Sequence, residues 1–204
     1  SMIPISLFFN NYLDMFKGFE SAVSDFLNKD SISDDMSPID IAFKKHDLIL
    51  SGKKIDIILL YGDELYEIGN WMKQLYAESL GKNGFGYLPV ISQMTQDQHS
   101  VLQLYLDGPN DKFYEFYSAN YQESNNFIDL TLANHKQAML KTLENESLPI
   151  VRISDYFVDN EQSIGYQLGY FFISSILETL LLAHLGGVDP FGQDAVEKQK
   201  KYLK

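Results

Sequence analysis

The chain has 204 residues, of which 45% are hydrophobic, and this is enough for one substantial buried core. It has no cysteine, so disulfides and thiolate zinc sites are excluded, and we expect a cytoplasmic protein. The formal net charge of −12 argues against nucleic acid and anionic membranes as partners, because phosphate binding requires clustered Lys and Arg.

Apolar spacing, short apolar runs and turn residues predict an order of helices and strands. The predicted helices are residues 7–27, 38–50, a helix after Glu64 that ends at Glu78 and Ser79, and residues 98–107, 135–145, 168–185 and 193–204. The predicted strands are residues 54–61, 87–92, 112–119 and 148–155, with 127–130 as a short strand or a loop. Strands that alternate with helices indicate an α/β fold, a three-layer αβα sandwich around a mostly parallel sheet.

The first two predicted strands differ in their expected positions. Residues 54–61 read KIDIILLY, a nearly continuous apolar run that is typical of a strand buried on both faces of a parallel sheet. The next strand contains Pro89, which cannot donate a hydrogen bond and therefore favours an edge or a strand entry. Ser37 is a candidate N-cap for the second helix, with Pro38 at the first helical position.

Two of the apolar elements predicted in the C-terminal half each carry a charged residue that bears on their environment. The helix 168–185 is hydrophobic enough to suggest a membrane span, but it carries Glu178, and a carboxylate at mid-span is costly in lipid. We therefore expect a buried core helix. Arg152 is the only basic residue of its strand, and a solvent-facing or salt-bridged role is favoured over a substrate contact.

Residues 71–112 hold two titratable groups at the ends of predicted elements, Glu78 and His99. Ligands of open α/β sheets bind outside the carboxyl ends of the strands, so we expect the two groups to share one crevice. Residues 62–64, Gly-Asp-Glu, connect the first strand to its helix. Their carboxylates would repel a phosphate, so we do not expect phosphate to bind at this turn.

Four segments together resemble bacterial-type glucose-6-phosphate isomerases: AESLGKNG at 77–84, PV at 89–90, DQHSVLQLYLDGPNDK at 97–112 and GVDPFGQDAVEKQKKYL at 187–203. The resemblance covers residues 2–204 and corresponds to the C-terminal half or so of such an enzyme. It implies one C-terminal sugar isomerase (SIS) domain over 2–204, with Ser1 as a residue left from cloning. The family's N-terminal domain, with its phosphate-gripping loop and an arginine that stabilises the enediolate, would be missing.

The resemblance also implies roles for particular residues. Glu78 would be the base that moves a proton between C2 and C1 through a cis-enediol. His99 would open the sugar ring from a neighbouring subunit, which implies a homodimer, and Lys200 would assist ring opening while Gln193 contacts the substrate. Gly192 stands where the family usually has Asp or Asn, which loosens that turn. Without the resemblance, Glu78 and Lys200 would be interpreted as solvated surface charges, and His99 as a surface or helix-capping residue.

The implied reaction is the interconversion of glucose 6-phosphate and fructose 6-phosphate in glycolysis and gluconeogenesis. We expect little or no turnover from these 204 residues alone, because remote phosphate binding contributes to the chemical step. Four scattered histidines show no ligand spacing, so neither a metal nor another cofactor is expected. Two alternatives remain open: a stand-alone, non-catalytic sugar-phosphate-binding or regulatory domain, and a structural dimerisation module with relic catalytic residues.

Overall fold

The computed structural model describes residues 12–28, 37–119, 126–156 and 163–202. The strands are β1 Ile55–Tyr61, β2 Leu88–Met94, β3 Lys112–Ala119 and β4 Ile150–Tyr156. The helices are α1 Tyr12–Leu27, α2 Pro38–Leu50, α3 Tyr66–Leu80, α4 Gln96–Ser100, α5 Leu102–Asp107, α6 Phe127–Asn145, α7 Ile164–Leu185 and α8 Asp194–Lys200, with a 3-10 helix Asp63–Leu65 before α3. The predicted start of the first helix at residues 7–11 and the last two residues of the terminal helix lie outside the described residues.

The four strands form one parallel sheet in the order β2-β1-β3-β4. In register, Ile55 of β1 faces Leu88 of β2 and Lys112 of β3. Residues 56–61 of β1 are buried, as predicted for a central strand. The strand that contains Pro89, β2, lies at an edge of the sheet, as predicted from the proline.

Each face of the sheet carries its own hydrophobic core. Ile58 and Leu60 of β1 pack with residues of α2, α3 and α7 on one face. Ile57 and Leu59 pack with residues of α5 and α6 on the other. The alternation of side chains along β1 therefore feeds two cores, and the predicted three-layer αβα sandwich is confirmed.

Three predicted elements differ from the structure. Residues 127–130 are neither a strand nor a loop but the first turn of α6, because the side chain of Asn126 caps this helix by accepting the N–H of Ile128 at 3.0 Å. The helix predicted over 98–107 is divided at Val101, where φ is −124° and the helical geometry is interrupted between α4 and α5. The terminal helix is also shorter than predicted and spans Asp194–Lys200.

The long helix α7 is apolar and long enough to cross a membrane by length and composition. It nevertheless contributes Phe171, Leu182 and Ala183 to the core and buries the carboxylate of Glu178, in agreement with the predicted core helix. Helix α1 crosses it so closely that a Cβ on Gly169 would lie 2.1 Å from the backbone oxygen of Met15. Glycine is therefore required at this crossing.

Candidate active site

Helix α3 carries Glu78 away from the carboxyl edge of the sheet. It begins after β1 and runs back toward the start of β2, with Met72, Tyr76 and Leu80 buried in the core. Glu78 lies on the opposite, partly exposed side of its last turn. Gly81 ends the helix, and its N–H donates to the carbonyl of Ala77 at 3.2 Å.

Both carboxylate oxygens of Glu78 accept a hydrogen bond from a side-chain amide. Gln74 donates to Oε1 at 3.1 Å from one helical turn away. Gln193 donates to Oε2 at 2.7 Å from the loop before α8. Two donors restrict the rotation of the carboxylate, so Glu78 is held in one orientation. Sequence reasoning identified Gln193 and missed Gln74, although an i,i+4 Gln–Glu pair on a helix is a visible signal.

A cavity of about 730 Å³ opens beside this carboxylate. Glu78 and Gln193 line it, and the other charged residues of its lining are Lys82, Lys198, Asp189 and Asp194, so positive and negative groups are mixed there. Gly192 also lines it, and a Cβ there would meet nothing closer than 3.5 Å, at Oδ2 of Asp189. This turn therefore has room for the Asp or Asn that the resemblance leads one to expect.

Lys200 lies two residues after Lys198, which lines this cavity, but Lys200 itself is not part of the lining. Its ammonium group donates to Oε1 of Glu197 at 2.6 Å, and both side chains are exposed. The described residues thus bring Gln193 to Glu78 and leave Lys200 paired within α8.

His99 is exposed on α4, beyond the carboxyl end of β2. Glu78 lies near the opposite end of that strand, because α3 runs antiparallel to the strands. A seven-residue strand spans about 20 Å, so the two groups lie about that far apart. The expectation that Glu78 and His99 share one crevice is therefore wrong within a single chain, since a βαβ crossover returns its helix to the amino edge of the sheet.

The carboxyl edge holds a separate cavity of about 450 Å³. Asp63, Glu64 and Asp129 line it, and Oδ1 of Asp63 accepts the amide of Gln93 at 2.5 Å. The charge of this surface is negative and would oppose phosphate binding, in line with the sequence argument for residues 62–64.

A cluster of five buried charged side chains lies under the sheet, on the side of α2 and α7. We call it the buried charge cluster; its members are Lys45, Asp56, Glu115, Arg152 and Glu178. Arg152 pairs with Glu178 and lies 3.5 Å from Glu115, so the salt-bridged alternative for this residue is confirmed and the solvent-facing one is wrong.

Charges within this cluster shift the ionisation of two of its carboxyl groups in opposite directions. Burial alone would raise the pKa of Glu115, but Lys45 and Arg152 outweigh it and lower that pKa to about 2. Burial and the negative charge of Glu115 raise the pKa of Asp56 well above its usual value. Lys45 lies 3.7 Å from Asp56, yet it is closer to Glu115 and Glu178, and a side-chain hydrogen bond with Glu115 also raises the pKa of Asp56.

Within the ranges that the structure describes, no group of three or more His, Cys, Asp or Glu side chains is placed to hold a metal ion. The Glu78 cavity brings a fixed carboxylate beside amide and ammonium groups and two further carboxylates, Asp189 and Asp194. Such a set suits proton transfer within a bound polar ligand.

Comparison with known proteins relates this geometry to a family. No family model matches the chain. A probable glucose-6-phosphate isomerase of Methanococcus maripaludis is 35% identical over 158 residues, which cover 74% of this chain and 36% of that protein. The glucose-6-phosphate isomerase of Methanocaldococcus jannaschii is 34% identical over 164 residues, covering 74% and 40% of the two chains. The chain belongs to the glucose-6-phosphate isomerase family.

A comparison with solved structures shows a similar fold. The crystal structure of a glucose-6-phosphate isomerase from Chlamydia trachomatis superposes with a TM-score of 0.73 at 16% identity, over 93% of this chain and 41% of that one. The chain thus spans about two fifths of the length of the family members it matches.

Proposed function

We propose that the chain is the part of a glucose-6-phosphate isomerase that carries the isomerisation base. In the whole protein it would interconvert glucose 6-phosphate and fructose 6-phosphate in glycolysis and gluconeogenesis. Glu78 takes the proton from C2 and returns it to C1, so a single carboxylate serves both halves of the transfer. Gln193 contacts the polar end of the sugar.

The observation that carries this proposal is the fixed orientation of Glu78 at a cavity. Gln193 and Gln74 hold its two oxygens, and the carboxylate faces a cavity of about 730 Å³. Restricting the base before the substrate binds lowers the entropic part of the barrier. Family membership makes proton transfer on a sugar phosphate the reaction that this arrangement fits best.

His99 takes part only if it comes from another subunit, since it lies about 20 Å from Glu78 in its own chain. We propose that the protein works as a homodimer in which His99 of one subunit completes the cavity beside Glu78 of the other. Lys200 would leave Glu197 and turn toward the substrate to assist ring opening. The proposed setting is the cytoplasm, with residues 2–204 acting as the C-terminal SIS domain.

Because the chain spans about two fifths of its relatives, we expect little or no turnover from the 204 residues alone. A coupled assay for fructose 6-phosphate conversion tests this on the chain and on the longest natural form of its gene. Each is measured beside Glu78→Gln, which keeps the shape and removes the base, and beside Glu67→Gln, a control on the exposed first turn of the same helix.

The longest form should be active, Glu78→Gln should lose at least about a hundredfold in kcat, and Glu67→Gln should match the wild type. Full turnover by Glu78→Gln would refute the assignment of the base. A longest form that binds sugar phosphate without turnover would favour the non-catalytic binding module instead.

A further inference from the structure

We infer that Lys82 is a positioning residue for the isomerisation proposed above, on which this inference rests. It holds the loop 189–193 so that the amide of Gln193 reaches the carboxylate of Glu78. Lys82 follows the helix that carries the base, and the loop precedes α8, so the two segments meet only through tertiary contacts.

The direct contact joins Lys82 to the first residue of this loop. The ammonium group of Lys82 donates a hydrogen bond to the backbone carbonyl of Asp189. Both residues line the same cavity as Glu78. A backbone carbonyl cannot move without moving its loop, so this bond fixes where the loop starts.

The loop is also constrained inside itself. The carboxylate of Asp189 accepts the backbone N–H of Phe191 at 3.0 Å, which folds residues 189–191 into a tight turn. Gln193 lies two residues after that turn and donates to Glu78 at 2.7 Å. The carbonyl and carboxylate of Asp189 therefore have separate tasks: one anchors the loop to Lys82 and the other shapes it.

A second contact lies beside the first and supports the same alignment. The ring of Phe85 packs on Gly186, where an added Cβ would lie 2.4 Å from two of its ring carbons. This contact brings the turn after α3 against the end of α7. A ring packed on a glycine makes no directional bond, so this contact does not fix the position of residues 189–193. The hydrogen bond from Lys82 does.

Lys82 could instead act by touching the substrate, since its side chain lines the cavity. The two roles differ in kinetics. A residue that places Gln193 and Glu78 lowers kcat, whereas a residue that binds the substrate equally in the ground and transition states changes KM alone.

The first test uses the longest active form of the gene with Lys82→Met, Lys82→Arg and Lys73→Met. Lys73 is exposed on α3 and donates only to Asn70 in its own helix, so it controls for the loss of one positive charge. Lys82→Met should lower kcat about 10- to 100-fold, and Lys82→Arg, which keeps a donor, should restore most of the lost kcat. An unchanged kcat, or a raised KM with unchanged kcat, overturns the inference.

The second test uses the 204-residue chain and does not depend on activity. The side-chain amide of Gln193 is followed in proton–nitrogen NMR spectra, with Gln193→Ala to assign it and Glu78→Ala to show its position when it is unpaired. Lys82→Met should move this signal toward the Glu78→Ala position, while Lys73→Met should leave it in place. An unmoved signal in Lys82→Met overturns the inference, even if the proposed isomerase activity is absent. If the signal moves in Lys82→Met but the longest form is inactive, Lys82 still positions Gln193, and the proposed isomerase function is rejected.

Discussion

The substitution Asp56→Asn should stabilise the protein at neutral pH, although it removes a charged residue type from the core. Asp56 is fully buried, lies 3.7 Å from Lys45, and shares a side-chain hydrogen bond with Glu115. The cluster contains two cations, Lys45 and Arg152, which are already paired with Glu115 and Glu178. A third carboxylate would be an uncompensated buried charge, so we expect Asp56 to carry a proton in the folded state.

The sign of the pH dependence follows from the raised pKa of Asp56. The folded state holds a proton that the unfolded chain releases above about pH 3.9, so stability is fully present below that pH and declines as the pH rises toward the folded pKa. One proton corresponds to about 1.4 kcal/mol per pH unit. Over the pH range in which the folded state keeps this proton and the unfolded chain has released it, the wild type should therefore lose stability at that rate, whereas Asp56→Asn should not.

Urea unfolding followed by circular dichroism at pH 4, 5, 6 and 7 measures this difference. Asp47→Asn on the exposed side of α2 is the matched control and should follow the wild type at every pH. The reasoning is refuted if the free energy of unfolding of Asp56→Asn differs from that of the wild type by a constant amount across the range. It is equally refuted if the substitution destabilises the protein more at pH 7 than at pH 4, because Asp56 would then be an ionised partner of Lys45.

Three further predictions concern stability. Arg152→Met should lower the free energy of unfolding by about 3–5 kcal/mol in urea, because it leaves Glu178 in the core with one partner fewer; a loss below about 1 kcal/mol would contradict this. Gly169→Ala should lower the melting temperature by several degrees, because its methyl group would overlap the backbone of Met15 and force α1 away from α7; an unchanged melting temperature would show that the helices separate at no cost. Gly192→Asp should leave the melting temperature within about 2 °C of the wild type, because its Cβ would make only ordinary contacts; a clear loss of stability would mean that this turn requires glycine.

Much of the fold follows from local patterns in the sequence. The run IDIILLY identifies a central strand because both of its faces are apolar, and Pro89 identifies an edge strand because it lacks a donor. Ser37 and Pro38 mark the start of α2, and the hydroxyl of Ser37 accepts the N–H of Asp40 at 3.1 Å. These signals are local, so a single stretch of sequence contains them completely.

The candidate site was harder to predict because its contacts join distant segments. Residue types and family resemblance identified Glu78 and Gln193, but only the fold shows that they meet. The expectation that Glu78 and His99 share a crevice was wrong because it placed the end of a crossover helix at the carboxyl edge of the sheet. A helix that follows a parallel strand ends at the amino edge.

The buried charge cluster also escaped prediction, since Lys45 stands in the polar run Lys-Lys-His-Asp at 44–47, which is typical of a surface. A signal was nevertheless present, because Asp56, Glu115 and Glu178 are each isolated charges in apolar runs.

The span of the buried charge cluster along the chain has a consequence for biosynthesis. Its first member is Lys45 and its last is Glu178, which pairs with both cations. While the polypeptide emerges from the ribosome, the sheet strands are complete by Tyr156, but Lys45 and Arg152 lack this partner until α7 has been made. The nascent domain must keep that face open to water until then, and a chain arrested before α7 would expose it to chaperones and proteases.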